Sequence, residues 1–182
     1  MAITEHITSA EQLLSAQGLG RCELVQGELI MMSPAGAEHG WIAVNAAVPL
    51  AMFVKKHALG AVFGAGTGFQ TAHDPDTVRA PDVAFVRAER IGAELGPGFF
   101  PGAPDLAVEV LSPDDRAGEV LAKVQDWLAS GCRGVWVIDP RTRTVTAYRS
   151  RSEIVVLKES ETLSGGDLLP GFALPVAEIF AG

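Results

Sequence analysis

The sequence predicts an α/β domain, and three observations carry that expectation. Within residues 104–113, the six residues from Leu106 to Leu111 form an apolar run broken by one carboxylate, Glu109, as a buried strand near a site does. Residues 37–57 and 114–129 each repeat apolar side chains at helical spacing. Short apolar runs at 22–32, 61–70, 78–86, 134–139, 144–148 and 154–157, bounded by Gly, Pro and Asp, read as the remaining strands. With 182 residues, 48% of them hydrophobic, residues 1–182 are expected to form a single unit with a sizeable core.

The elements follow in order. Thr8-Ser9, Glu11 and the pair Leu13-Leu14 make a short capped helix, which Gly18 and Gly20 end. Residues 22–32 fold back around Gln26-Gly27 as a tight hairpin. Glu23 and Glu28 flank its turn, and taken alone either reads as an exposed strand acid. In the long helix from Ala37 to His57, Trp41, Val44, Val48 and Met52 keep the helical period, and Lys55 and Lys56 suit the negative end of the dipole. Pro49 is expected to kink or divide it. His39, in the first turn, reads by position as a surface or capping residue.

Residues 61–70 are glycine-rich but lack phosphate-loop spacing, a Lys-Ser/Thr pair and a following helix, so a strand is expected there. His73-Asp74-Pro75-Asp76 is turn chemistry before it is a metal site. Residues 78–86 then make one strand with an embedded acid, Asp82, and residues 87–102 a surface connection. In the strand at 104–111, alternation puts Asp105, Ala107, Glu109 and Leu111 on one face and Leu106, Val108 and Val110 on the other. An unpaired buried carboxylate is strongly unfavourable, so Glu109 needs a partner, a metal or a cleft. Asp114 and Asp115 open a helix with the stripe Val120, Leu121, Val124, Trp127 and Leu128. Lys123 lies at the edge of that stripe and, from the helix alone, reads as a surface partner of Glu119. Leu168, Leu169, Phe172, Val176, Ile179 and Phe180 should dock the last segment on the core.

A formal charge of −8 disfavours general electrostatic affinity for nucleic acid, so such a partner needs a local basic patch. Arg141, Arg143, Arg149 and Arg151 are candidates, although charges on strands are commonly no more than solvated. Cys22 and Cys132 show no CxxC spacing and read as free thiols in a reducing compartment. No stretch reaches the ~18 apolar residues of a membrane span, and no signal-peptide pattern is evident, so a soluble, cytoplasmic protein is expected. Ser112 lacks nucleophile-elbow spacing, which weakens a serine-hydrolase reading.

Asp82 on one strand, Glu109 on the next and Lys123 on the helix after it can converge at one end of a sheet. Paired carboxylates with water and phosphate oxygens suit Mg²⁺, and a nearby amine assists on the same phosphate. Ala80-Pro81-Asp82-Val83, the 104–113 run around Glu109, Lys123, and Trp136-Val137-Ile138-Asp139-Pro140 together resemble the bacterial Uma-two family of restriction-endonuclease-like proteins. Residues 22–29 resemble its N-terminal motif and Leu169-Pro170-Gly171-Phe172 its C-terminal one, so the likeness spans nearly the whole chain.

The resemblance implies the PD-(D/E)XK nuclease fold, a restriction-endonuclease-like mixed sheet flanked by helices. It further implies that Asp82 and Glu109 bind a metal, Mg²⁺ or Mn²⁺, that Glu23 is an auxiliary acid, and that nucleic acid, with DNA favoured, is cut. Leu111 occupies the place of the superfamily's lysine two residues after Glu109, and Lys123 looks like its migrated replacement. Cys22 stands where the family usually has an aromatic residue, and His39 resembles a recurrent family position without an assigned role. A homodimer is expected because duplex cleavage benefits from two sites. The rival expectation is a nuclease scaffold that binds nucleic acid or protein without cutting.

Overall fold

The computed structural model describes residues 6–92 and 95–182. Its strands are β1 (Cys22–Val25), β2 (Glu28–Met31), β3 (Gly60–Gly64), β4 (Phe69–Ala72), β5 (Thr77–Arg79), β6 (Val83–Arg87), β7 (Phe100–Pro101), β8 (Leu106–Val110), β9 (Gly134–Asp139), β10 (Thr144–Tyr148), β11 (Ile154–Lys158), β12 (Thr162–Ser164) and β13 (Ala173–Pro175). The helices are α1 (Ala10–Ser15), α2 (Ala37–Lys56), α3 (Ala117–Ala129) and α4 (Val176–Ile179).

The central sheet runs β11-β10-β9-β8-β6-β3. Only β8 and β9 are parallel among its neighbours, and α3 supplies the crossover that a parallel pair needs. Alternation on β8 sorts its side chains as the sequence predicts. Leu106, Val108 and Val110 enter a core with Ile42, Leu50 and Val54 of α2 and with Phe172 and Ile179 near the C-terminus. Ala107 enters a second core with Val124 and Trp127 of α3. The sheet is therefore covered by α2 on one face and α3 on the other, a restriction-endonuclease-like α/β arrangement.

A second sheet, β2-β1-β5-β4-β7, lies beside it. The β1–β2 hairpin turns at Gln26 and Gly27, both at positive φ (51° and 76°), as a two-residue type I′ connection requires. Residues 78–86 are not one strand. Pro81 has no N–H to give a ladder, and the chain leaves the second sheet as β5 and enters the central one as β6. Residues 61–70 likewise divide, β3 joining the central sheet and β4 the second. Within this stretch a Cβ on Gly68 would come 2.4 Å from the Phe99 ring, while Gly64 and Gly66 face open space, so the close neighbour is a side chain at one glycine and not backbone along the run; the tight backbone approach is at Gly60, just before it, 2.0 Å from the Val86 carbonyl oxygen.

α2 passes through Pro49 undivided, since Ile42, Ala46, Leu50 and Val54 anchor both halves in one core. Leu121 is exposed instead of joining the α3 stripe, because at about 100° per residue it falls beside Val124, Trp127 and Val120 at the margin of that face. The arginines lie in turns at opposite ends of β10, where Arg143 pairs with Glu159 and Arg149 with Glu153. The connection at 87–102 contains a short 3₁₀ turn (Ala88–Arg90) and β7, while Ala93 and Glu94, like residues 1–5 of the expected leaderless start, lie outside the described residues. Among the described residues no helix is long and apolar enough to cross a membrane.

Candidate active site

The site forms where the two sheets meet. Asp82 follows the Pro81 break and immediately precedes β6. Val83 pairs with Val108, which brings Asp82 to the end of β8 that carries Glu109. Backbone contacts lock this end: the Asp82 N–H donates to the Val108 carbonyl (3.1 Å), and the Val110 N–H donates to the Asp82 carboxylate (2.9 Å).

Two buried acids so close repel unless cations or donors hold them. Asp82 receives Arg21 Nη2 at 2.8 Å, and His39 Nε2 lies 3.2 Å from its other oxygen. Glu109 accepts from Trp127 Nε1 at 2.8 Å and from Lys123 Nζ at 3.0 Å. Lys123 also lies 3.3 Å from Glu23. Glu23 in turn accepts from Arg79 Nη1 (2.9 Å) and from the Ala80 N–H (3.1 Å), and Arg79 reaches on to Asp126.

The predicted set, Asp82, Glu109, Lys123 and Glu23, thus meets in one cluster. Three readings made from single elements are corrected. Glu23 is buried, because β1 pairs with β5 and turns that side chain under Arg79 and Ala80. Lys123 ignores Glu119, which faces Arg116 instead, because two buried carboxylates outweigh one exposed acid. His39 is a partner of Asp82 and not a surface residue. Asp105 immediately precedes β8, at the end away from Glu109, and is bound by Arg90 at 2.9 Å. Ser112 gives its backbone N–H to Asp115 (2.8 Å).

The ionisations follow from this crowding. Burial pushes Glu109 up, Asp82 and Glu23 add to the rise, and Lys123 and Trp127 oppose it without cancelling it. Burial pulls Lys123 down, but Glu109 and Glu23 outweigh that pull and hold the ammonium above the ordinary lysine value. The two rises have different causes: burial lifts the acid, whereas the neighbouring carboxylates lift the amine. Burial also pushes Asp82 up, yet its bond with His39, the Val110 N–H and the charge of Arg21 bring it below the ordinary aspartate value. The bond to Asp82 is the main reason that His39 is raised.

The donor chemistry accommodates a hard cation. A carboxylate offers about four lone-pair positions. Asp82 uses them on Arg21, His39 and Val110, and Glu109 on Lys123 and Trp127, so each keeps acceptor capacity in a region of negative potential. Among the described residues no three His, Cys, Asp or Glu side chains are arranged to hold a metal ion. The fit is of the kind that Mg²⁺ accepts, one or two carboxylates completed by water and phosphate oxygens.

A cleft of about 480 Å³ opens alongside, lined by His39, Ser112, Pro113, Asp139 and Arg141 among others. It does not include Asp82, Glu109 or Lys123, and His39 is the residue shared by the cleft and the acid cluster.

The sequence profile of Uma2, described as "putative restriction endonuclease", matches residues 9–177. The chain belongs to the Uma2 family. A crystal structure of a protein described as a putative nuclease belonging to DUF820, from Anabaena variabilis, superposes on this Uma2 chain with a TM-score of 0.80 at 23% identity, covering 96% of this chain and 97% of that one. The likeness is one of fold. No curated protein matches.

Sequence reasoning missed Arg21, Arg79 and Trp127 in this Uma2 site. Arg21 and Arg79 reach acids 61 and 56 residues distant, and no local pattern encodes that. For Trp127 a signal existed: it lies one turn from Lys123 on the buried face, and a buried indole N–H needs an acceptor.

Proposed function

We propose that this Uma2 protein is a metal-dependent nuclease that hydrolyses phosphodiester bonds, with DNA as substrate and Mg²⁺, or Mn²⁺ in its place, as cofactor. One observation carries the reading: the Lys123 amine leaves the surface of α3 and ends 3.0 Å from Glu109 and 3.3 Å from Glu23. Asp82 and Glu109 would hold the metal, whose chemistry is to ease ionisation of water and neutralise charge at phosphorus.

The chain's own residues do the rest. Lys123, kept protonated by the acids around it, donates to oxygens at the reacting phosphorus and stabilises the negative charge that builds there. Glu23 positions Lys123 and is itself fixed by Arg79 and the Ala80 N–H. Trp127 fixes one Glu109 oxygen and leaves the carboxylate little freedom to turn. Arg141 and His39 line the adjoining cleft together with Glu38, Asp115 and Asp139, so any help they give a phosphate backbone is local and the cleft is not a basic groove.

The test is cleavage of plasmid and single-stranded DNA with Mg²⁺ or Mn²⁺ by the wild type, Glu109→Ala and Lys123→Ala, each checked for folding by circular dichroism. The expected result is cutting by the wild type, its disappearance in Glu109→Ala, and a loss of about 10²-fold or more in Lys123→Ala. Equal cutting by all three overturns the site. A second reading, a nuclease scaffold that no longer cuts, is favoured by Arg21 and His39 already occupying both Asp82 oxygens. Calorimetry distinguishes it: neither metal binding nor cleavage belongs to the scaffold, and metal binding abolished by Glu109→Ala belongs to the nuclease.

A further inference from the structure

α2 is amphipathic twice over. Its Ile42, Ala46, Leu50 and Val54 are buried in the core. On the opposite side Trp41, Val44, Val48 and Met52 are 57%, 57%, 50% and 68% exposed. At about 100° per residue these four fall within about 80° of one another, centred about 180° from the buried row. A stripe of four large apolar side chains along one side of a 20-residue helix is more than the scattered exposure normal on a monomer.

The stripe is also symmetric. Trp41 and Met52, Val44 and Val48, and Glu38 and Lys56 are each placed evenly about positions 46–47. Glu38 and Lys56 are 18 residues apart, about five whole turns, so they stand on the same flank of the stripe at its two ends. Both are exposed, and neither takes part in an ion pair among the described residues.

We propose that this face binds the same face of a second copy of the chain, with the two α2 helices packed antiparallel about a twofold axis at positions 46–47. A twofold interface must be self-complementary, each residue meeting its symmetry counterpart. Here Trp41 meets Met52 of the other copy, Val44 meets its Val48, and Glu38 meets its Lys56, with every contact made twice. The flank geometry decides the orientation. A twofold axis perpendicular to both helices keeps each flank on its own side while reversing the helix ends, so acid lies over base only in the antiparallel pair. A parallel pair, whose twofold axis runs along the helices, would carry the charged flank of each copy to opposite sides of the seam and leave Glu38 and Lys56 without an opposite charge across it.

Trp41 is a prepared anchor, since its indole N–H donates to the Ala181 carbonyl at 3.0 Å and its orientation is set before association. Asn45 secures the same carbonyl at 2.9 Å, which fixes Ala181 beside Trp41. A seam made by one helix about 30 Å long is smaller than the ~800 Å² per partner of a standard interface, so a reversible dimer is expected, not an obligate one. The inference does not depend on the nuclease reading.

The experiment is analytical ultracentrifugation of the full chain from about 1 to 200 µM, a span chosen around the ~1 µM to 1 mM affinities of modest interfaces. The expected result is a mass rising towards twice 19.1 kDa with concentration. Val48→Glu, an exposed change with wild-type circular dichroism, should hold the mass at one chain. Glu38→Lys and Lys56→Glu should each weaken self-association, while an equimolar mixture of the two, or the double variant, should restore it. Three outcomes overturn the proposal: a monomer at every concentration, a dimer indifferent to Val48→Glu, and charge variants that fail to rescue one another. The second would move the interface elsewhere, for example to the exposed Ile154, Val155 and Val156 of the edge strand β11.

Discussion

At the scale of the residue, Asp82 and His39 give the metal-free protein a stability that depends on pH. The Asp82 value is depressed when folded, so its contribution is present above its ordinary 3.8 and is lost as pH falls through the lower folded value. The His39 value is raised when folded, so its contribution is complete below 6.5 and is lost as pH rises through the higher folded value. The pair stabilises most between those limits. The stability gap between wild type and His39→Gln in urea titrations should therefore be widest near pH 5–6 and should narrow by pH 9. A gap constant over that range would mean that the imidazole does not titrate against Asp82. Cys132 gives an independent check on packing. Burial first among its influences pushes its thiol up to about 12, and it is only 5% exposed. An aromatic disulfide reagent at pH 8 should leave Cys132 unlabelled in the native protein and modify it after denaturation; rapid native labelling would contradict the packing around it. The acids and the lysine were legible because strand parity and neighbouring elements bring Asp82, Glu109 and Lys123 to one end. The arginines were not, since Arg21 and Arg79 act through sheet pairing that spans more than 50 residues.

At the scale of the element, α2 shows why a helical period does not by itself say which side faces the core. Trp41, Val44, Val48 and Met52 gave the strongest periodic signal in the sequence, yet the core takes the row Ile42, Ala46, Leu50 and Val54. A helix apolar on two sides leaves the choice to tertiary packing. The same packing carries the helix through Pro49, which propensity alone would use to end it. The strands were easier, because turn residues bound them: β9 and β10 keep their predicted limits, and β8 falls inside the expected 104–111. The strand expected at 78–86 failed because its two halves serve different sheets, and no local pattern marks a change of sheet. Leu50→Ala should cost about 2–5 kcal/mol, as a cavity in a buried site does. Val48→Ala should stay within about 0.5 kcal/mol at concentrations where the chain is monomeric. Urea midpoints for the two variants test the assignment, and similar costs would mean that the stripe is covered within the chain.

At the scale of the whole molecule, the expectation of one unit over 1–182 rests on how the cores are joined. The central sheet is a wall shared by two of them, Ile138 and Val108 filling one side and Val137 and Ala107 the other. The second sheet adds a smaller core around Leu24 and Val78 and is tied across by Glu23 to Lys123 and by Arg21 to Asp82. The site is therefore built from both sheets, and separating them would break its ion pairs as well as expose its acids. Cooperative unfolding is the consequence, and two tryptophans report on it from opposite faces: Trp136 belongs to the core under α2 and Trp127 to the core under α3. In a Trp41→Phe background, which removes the exposed indole, fluorescence and far-UV circular dichroism should give coincident single transitions in urea. A Trp136→Phe variant should leave Trp127 reporting the same midpoint as circular dichroism, after allowance for the variant's own loss of stability. Separated midpoints within one variant would show that the two faces unfold independently, and the ion pairs at the sheet junction would then join two units instead of closing one.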